Sequence, residues 1–217
     1  MTVYHTQKDY WDDAALEKEF TTPFQMELFC RYVPYNAPVL DVGCGYGRTL
    51  NELYEKGFQS LHGIDFSLKM IERGLSLFPH LDISQHSKPH LPYPDNSFDA
   101  VILLAVLTCI TEDEAQENLI QEILRILKPK GVLYINDFLL NHDERNRTRY
   151  QLSEKKYGCY GIFELPEGAR LRHFEESRIR ELTRSFEPCV FEKTVYKTMN
   201  GNTSNGFYFL GKKSVGR

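Results

Sequence analysis

No apolar run in this chain is long enough to cross a bilayer. The longest, AVILLAVLTCI from Ala100 to Ile110, falls well short of the ~20 residues a spanning helix needs. The first residues, MTVYHTQKDYWDD, lack the apolar segment of a secretory signal, so the expectation is a cytoplasmic protein with no membrane association. Paired cysteines are missing too. The five thiols, Cys30, Cys44, Cys109, Cys159 and Cys189, are odd in number and form no C-x-x-C, which fits free thiols in a reducing compartment. Basic excess is absent: 26 Lys and Arg stand against 30 Asp and Glu, a net charge of −4. A nucleic-acid partner drawn by charge alone is therefore not expected. His62, His80, His86 and His90 are scattered without ligand spacing, so no metal site is expected. There is no internal repeat and no low-complexity tract.

What is present alternates. PVLDVG reads as a short buried strand, and GRTLNELYEKGF as a helix that ends at Gly57. LHGIDF is a second strand, followed by a helix capped by Ser67. LDISQHS is a third strand, and FDAVILLAVL a fourth, apolar on both faces as a central parallel strand should be. TEDEAQENLIQEILRILKP predicts a helix with Thr111 and Glu114 as a capping box and Pro129 and Gly131 as its stop. GVLYINDF is a fifth strand. After a mixed-charge, aromatic-rich stretch come a helix, FEESRIRELTRSF, and two strands joined by a turn. The class is α/β: a Rossmann-like, seven-stranded, mostly parallel sheet with helices on both faces and a C-terminal antiparallel hairpin.

The strand VLDV runs into GCGYG and then a helix. Such a turn leaves backbone N–H groups beside a crevice, and its glycines let a ligand lie close to the main chain. Two ligand classes use this device, dinucleotides and S-adenosyl-L-methionine. A dinucleotide turn, G-x-G-x-x-G, wants glycine at position 48, where this chain has Arg48. Asp41, two residues before Gly43, suits a cationic amino group better than a pyrophosphate.

Four motifs then occur in order: VLDVGCGYGRTL, GIDFS, LPYPDNSFDAVILLAVL and RILKPKGVLYI. Together they resemble a class I S-adenosylmethionine-dependent methyltransferase of the type 11-like kind, over about Val39 to Ile135. The resemblance implies a lid at 1–36, a cofactor-binding core at 37–140, an acceptor-side insertion at 141–174, and a helix and hairpin at 175–217 completing the sheet. It implies that Gly43, Gly45 and Gly47 lie along the methionine moiety, with Asp41 at its ammonium and Arg31 at its carboxylate. Asp65 would hold the ribose diol and Phe66 the adenine face, and Ser67, Ser87, Lys88 and Leu104 would complete the cofactor set. Ser87 and Lys88 stand where the family often carries an acid and a small residue, so the adenine amino group would lack a charged partner. Cys44, inside the first motif, reads as a small filler.

The implied reaction is in-line methyl transfer from S-adenosyl-L-methionine, leaving S-adenosyl-L-homocysteine, to a small molecule. RNA or protein acceptors, a non-catalytic cofactor-binding scaffold and an NAD-dependent enzyme are the alternatives. No catalytic triad is needed, because a sulfonium methyl is already activated and alignment does most of the work. Tyr4, Tyr10 and Trp11 are candidate lid residues, with Tyr10 and Trp11 also candidates for contacting the acceptor. Tyr150, Arg172 and His173 are candidate acceptor residues, Arg172 as an anion anchor and His173 as a base. Arg145, Arg147 and Arg149 suit either an acidic acceptor or a solvated helix face.

Overall fold

The structure, a computed structural model, describes residues 3–15, 17–166, 168–198 and 201–214. Among the described residues, nine strands and seven α-helices follow the alternation in the sequence. A helix α1 (Val3–Ala14) and a short α2 (Met26–Tyr32) precede β1 (Pro38–Val42), α3 (Arg48–Glu55), β2 (Ser60–Asp65) and α4 (Leu68–Leu77). Then come β3 (Asp82–Gln85), β4 (Phe98–Leu104), α5 (Asp113–Ile126) and β5 (Leu127–Phe138). The insertion carries α6 (Glu144–Tyr157) and a ribbon of β6 (Ile162–Glu164) and β7 (Arg170–Arg172). The chain closes with α7 (Glu176–Leu182), β8 (Phe186–Lys197) and β9 (Thr203–Lys213).

The main sheet has the order β3-β2-β1-β4-β5-β9-β8. Its first five strands are parallel, and β9 runs antiparallel to both β5 and β8. β1 lies between β2 and β4, so the winding direction reverses there. A crevice opens at that switch, outside the carboxyl ends of the strands.

Side-chain alternation builds a core on each face of the sheet. In β4, Val101 and Leu103 face Ile120 and Ile123 of α5 and Ile179 of α7. Ala100 and Ile102 face Phe29 of α2 and Leu50 and Leu53 of α3. All are fully buried. This two-sided burial is why the parallel strands read as unbroken apolar runs. Among the described residues no helix is long and apolar enough to span a membrane.

Two local expectations fail. α5 has Glu112 as its N-cap with no side-chain cap, so the Thr111–Glu114 box does not form. The Thr111 hydroxyl donates to Glu112 Oε1 instead (2.9 Å), and its carbonyl accepts from Arg172 (3.0 Å). The helix also ends at Ile126, before Pro129 and Gly131. Leu127 turns extended to pair with Phe98, and pairing resumes only at Val132 with Ala100. The residues between bulge out, with Lys130 at φ +64°. Other predicted ends hold: Gly57 follows α3 at φ +100°, and Ser67 Oγ accepts from Met70 N–H (3.2 Å) at the start of α4.

Candidate active site

β1 ends in a turn that glycine alone accommodates. Gly43 and Gly45 have φ of +74° and +56°. A Cβ on Gly43 would sit 2.7 Å from Val106 Cγ2, and one on Gly45 would sit 2.3 Å from Phe20 Cε2. Backbone geometry and space therefore both reject a side chain. The turn is tied to its neighbour, because the N–H groups of Gly43 and Cys44 both donate to Ile64 O (2.8 and 3.1 Å).

Asp65, at the tip of β2, holds the turn from the other side. Its Oδ2 accepts from Gly45 N–H (2.9 Å) and its Oδ1 from Ser67 N–H (2.8 Å). Burial pushes its pKa up to about 6 against the pull of those hydrogen bonds. Asp41 is 2% exposed, and its Oδ1 is buried without a hydrogen-bond partner. Burial first, and the charge of Asp65 second, push its pKa up to about 8, while Arg48 pulls the other way. Cys44 is buried, and burial holds its thiol well above the ordinary value, as a filler requires.

These groups open into a cavity of about 980 Å³. Asp41, Gly43, Gly45, Asp65 and Phe66 line one end. Ser87, Lys88 and Leu104 border it from the neighbouring strand ends. Ala105, just past β4, also lines it and holds φ +57°, costing about 1–2 kcal/mol for a residue with a Cβ. Its N–H donates to Asn136 O (2.8 Å), which helps hold the conformation.

The N-terminal segment covers this end. Tyr10, Trp11 and Phe20 line the cavity, and Phe20 stacks on Tyr46 at 4.9 Å. Asp12 accepts from the Ser67 hydroxyl (2.6 Å), which docks α1 on the start of α4. Arg73 donates to the carbonyls of Ala15 and Lys18 (3.1 and 2.8 Å). Gln7 reaches across to the carbonyls of Arg170 and Cys109. The Tyr4 side chain lies outside the described residues.

The insertion forms the far wall, with His173, Phe163 and Arg149 lining it beside Phe138 at the end of β5. His173 is 6% exposed, and burial holds its pKa well below the ordinary value.

Several expected site residues sit elsewhere. Arg31 is exposed on the last turn of α2 and does not line the cavity. Arg48 does, with its guanidinium on Thr22 O (2.6 Å) and Glu52 (3.0 Å) and its Nε buried without a partner. The sequence signal for it is Arg48 itself, directly after the glycine turn, where the dinucleotide comparison sees only a break in the pattern. Gly47, at φ +80°, starts α3 behind the turn, and Ser67 spends its hydroxyl on α4 and Asp12. Neither lines the cavity. Tyr150 is fully buried behind His173. Arg172 points away, to Thr111 O and Asp113, so it braces α5 and is not an anion anchor in the cavity. Asp12 and Phe20 carried no sequence signal, because their roles arise from contacts with distant residues.

Comparison with known proteins agrees with this geometry. A methyltransferase domain model matches residues 40–135. Over 102 residues the chain is 35% identical to human methyltransferase-like protein 27, covering 46% of this chain and 40% of the relative. Over 139 residues it is 30% identical to 27-O-demethylrifamycin SV methyltransferase of Amycolatopsis mediterranei, covering 60% of this chain and 50% of the relative. The chain thus spans about half the length of the curated relatives it matches. A solved structure of a SAM-dependent methyltransferase from Methanosarcina mazei superposes with a TM-score of 0.83 at 26% identity, over 89% of this chain and 99% of that one. With β1 at the switch point, glycines bending out of it and an acid at the tip of β2, residues 40–135 form a methyltransferase domain, in a chain whose fold is that of S-adenosylmethionine-dependent methyltransferases.

Proposed function

We propose that the protein transfers a methyl group from S-adenosyl-L-methionine to a small-molecule acceptor by in-line displacement. One observation carries the reading: a single cavity joins the Asp41–Gly43–Gly45–Asp65 turn to a chamber walled by the insertion. Its volume, about 980 Å³, is at the upper end of the roughly 300–1,000 Å³ of small-molecule sites.

The residues present fit the cofactor. Asp41 offers an orphaned carboxyl oxygen that an ammonium would satisfy, and Arg48 offers an orphaned Nε on the same cavity wall. The glycine turn leaves the main chain bare, and Asp65 keeps lone pairs for a ribose diol beyond its two backbone bonds. Phe66 offers an adenine-sized face, with Ser87 and Lys88 beside it. When bound, the cofactor supplies a sulfonium-activated methyl group. The chain's part is alignment and exclusion of water, by Leu104, Ala105 and the lid residues Tyr10 and Trp11.

A macromolecular acceptor is the less favoured reading, since the net charge is −4 and the lid segment covers the turn. A cytoplasmic location is part of the proposal, supported by five free cysteines. Calorimetry with S-adenosylhomocysteine tests the core claim, with micromolar binding expected. Silence at high micromolar ligand would refute it. A salt-sensitive gel shift with tRNA would move the acceptor to RNA.

A further inference from the structure

The insertion carries cations that the methyl-transfer reading leaves without work. Arg145 and Arg149 lie one turn apart on α6, and both line the cavity, whereas Arg147 does not. Among the described residues neither forms an ion pair. Arg149 stacks over the Phe163 ring, 3.4 Å from its centroid, and its Nε is buried without a partner. Desolvation holds its pKa below the ordinary value, the mark of a cation short of a counter-charge.

His173 adds a third donor, and its hydrogen bonds decide which nitrogen carries the proton. Asn205 N–H donates to Asn141 Oδ1 (2.8 Å), which sets the amide so that Asn141 Nδ2 faces His173 Nδ1 (3.2 Å). The Tyr150 hydroxyl lies 2.6 Å from the same nitrogen, and burial raises its pKa, so it keeps its proton. Asn141 Nδ2 also reaches Leu139 O (3.2 Å) and Ser204 Oγ (2.9 Å), so the Tyr150 hydroxyl is the main partner of Nδ1, and with that hydroxyl as donor Nδ1 holds the lone pair. Burial and the charges of Arg149 and Arg145 keep the imidazole neutral, which leaves its one proton on Nε2. Nε2 has no protein partner among the described residues. In this tautomer the ring would offer the cavity a donor in place of the base that the sequence suggested.

The acids near this wall are occupied. Asp143 caps α6 through Asn146, and Glu164, which also lines the cavity, is taken by Lys156 and Tyr157. Counting Asp143 against the two arginines leaves one uncompensated positive charge, which suits a monoanion. Phe138, stacked on the His173 ring at 5.5 Å, and Phe163 supply flat apolar walls.

We propose that this end of the cavity binds the carboxylate of a flat, apolar organic acid, with Arg149 and Arg145 as charge partners and His173 Nε2–H as a third donor. That the acid is the methyl acceptor rests on the methyltransferase reading; the anion site stands on its own geometry.

The test titrates the protein, saturated with S-adenosylhomocysteine, with benzoate, cinnamate and indole-3-acetate, each beside its methyl ester. At least one acid is expected to bind about tenfold more tightly than its ester. Arg149→Gln should remove most of that preference. Arg145→Gln, at an exposed position that folding tolerates, should cut it about threefold. Neither change should alter ester or S-adenosylhomocysteine affinity. Equal binding of acid and ester, or no binding by any acid while S-adenosylhomocysteine binds, overturns the anion site. If S-adenosylhomocysteine itself gives no heat, the methyltransferase reading falls, and the acid–ester comparison on the free protein still decides the anion site.

Discussion

Replacing Asp41 by asparagine isolates a single proton. In the ligand-free protein burial holds this carboxyl at about 8, against 3.8 for the unperturbed group. Between those values the folded chain keeps a proton that the unfolded chain has released, so this group's contribution to stability is full below pH 3.8 and is lost as pH rises towards 8. At pH 7 the loss is on the order of 4 kcal/mol, from about 1.4 kcal/mol per pH unit. Asparagine keeps the shape and has no proton to lose. Asp41→Asn should therefore be more stable than the wild type at pH 7, with the advantage shrinking towards pH 4; urea unfolding at several pH values checks this. An ammonium placed beside Asp41 reverses the balance and ionises the carboxyl. At pH 7 Asp65, near 6, is already mostly ionised, so the proton released on binding comes from Asp41. Calorimetry with S-adenosylhomocysteine in buffers of different ionisation enthalpy should show close to one proton released by the wild type and none by Asp41→Asn. The variant should bind about 10–100-fold more weakly, the worth of one charge-assisted hydrogen bond. A wild-type binding enthalpy that does not depend on the buffer, or a variant that binds as tightly, refutes the assignment of Asp41.

Gly45→Ala should lower Tm by several degrees and weaken S-adenosylhomocysteine binding, since its Cβ meets both a φ of +56° and the Phe20 ring; calorimetry and thermal melts read both. Asp12→Ala removes the acceptor for the Ser67 hydroxyl, so α1 should become sensitive to limited proteolysis while the core melts within a few degrees of wild type. Arg172→Ala should cost about 1–3 kcal/mol in urea unfolding by leaving the Thr111 carbonyl without its donor, with no change in S-adenosylhomocysteine affinity. A clear loss of cofactor affinity in Arg172→Ala would contradict its placement away from the cavity.

Strand positions, the glycine turn and Asp65 were legible in the sequence, because each is a local matter. Apolar runs mark strands buried on both faces, glycine marks a left-handed backbone, and an acid at a strand tip meets whatever lies beside the next turn. The Thr111 capping box failed because α5 starts one residue later, with Glu112 as its N-cap, and the Thr111 hydroxyl donates to Glu112, while Arg172, 61 residues away, holds the Thr111 carbonyl. The lid contacts of Asp12 and Phe20 were invisible for the same reason. Arg31 and Arg48 show the limit most plainly: the sequence offered Arg31 for the carboxylate end and Arg48 only as a break in a dinucleotide pattern, yet Arg31 lies exposed on α2 and Arg48 lines the cavity. At His173 the sequence supplied a titratable ring between an arginine and a phenylalanine. Whether that ring offers a base or a donor depends on Asn141, Tyr150 and Asn205, which only folding gathers around it, since a tautomer is set by neighbours in space and not by neighbours along the chain.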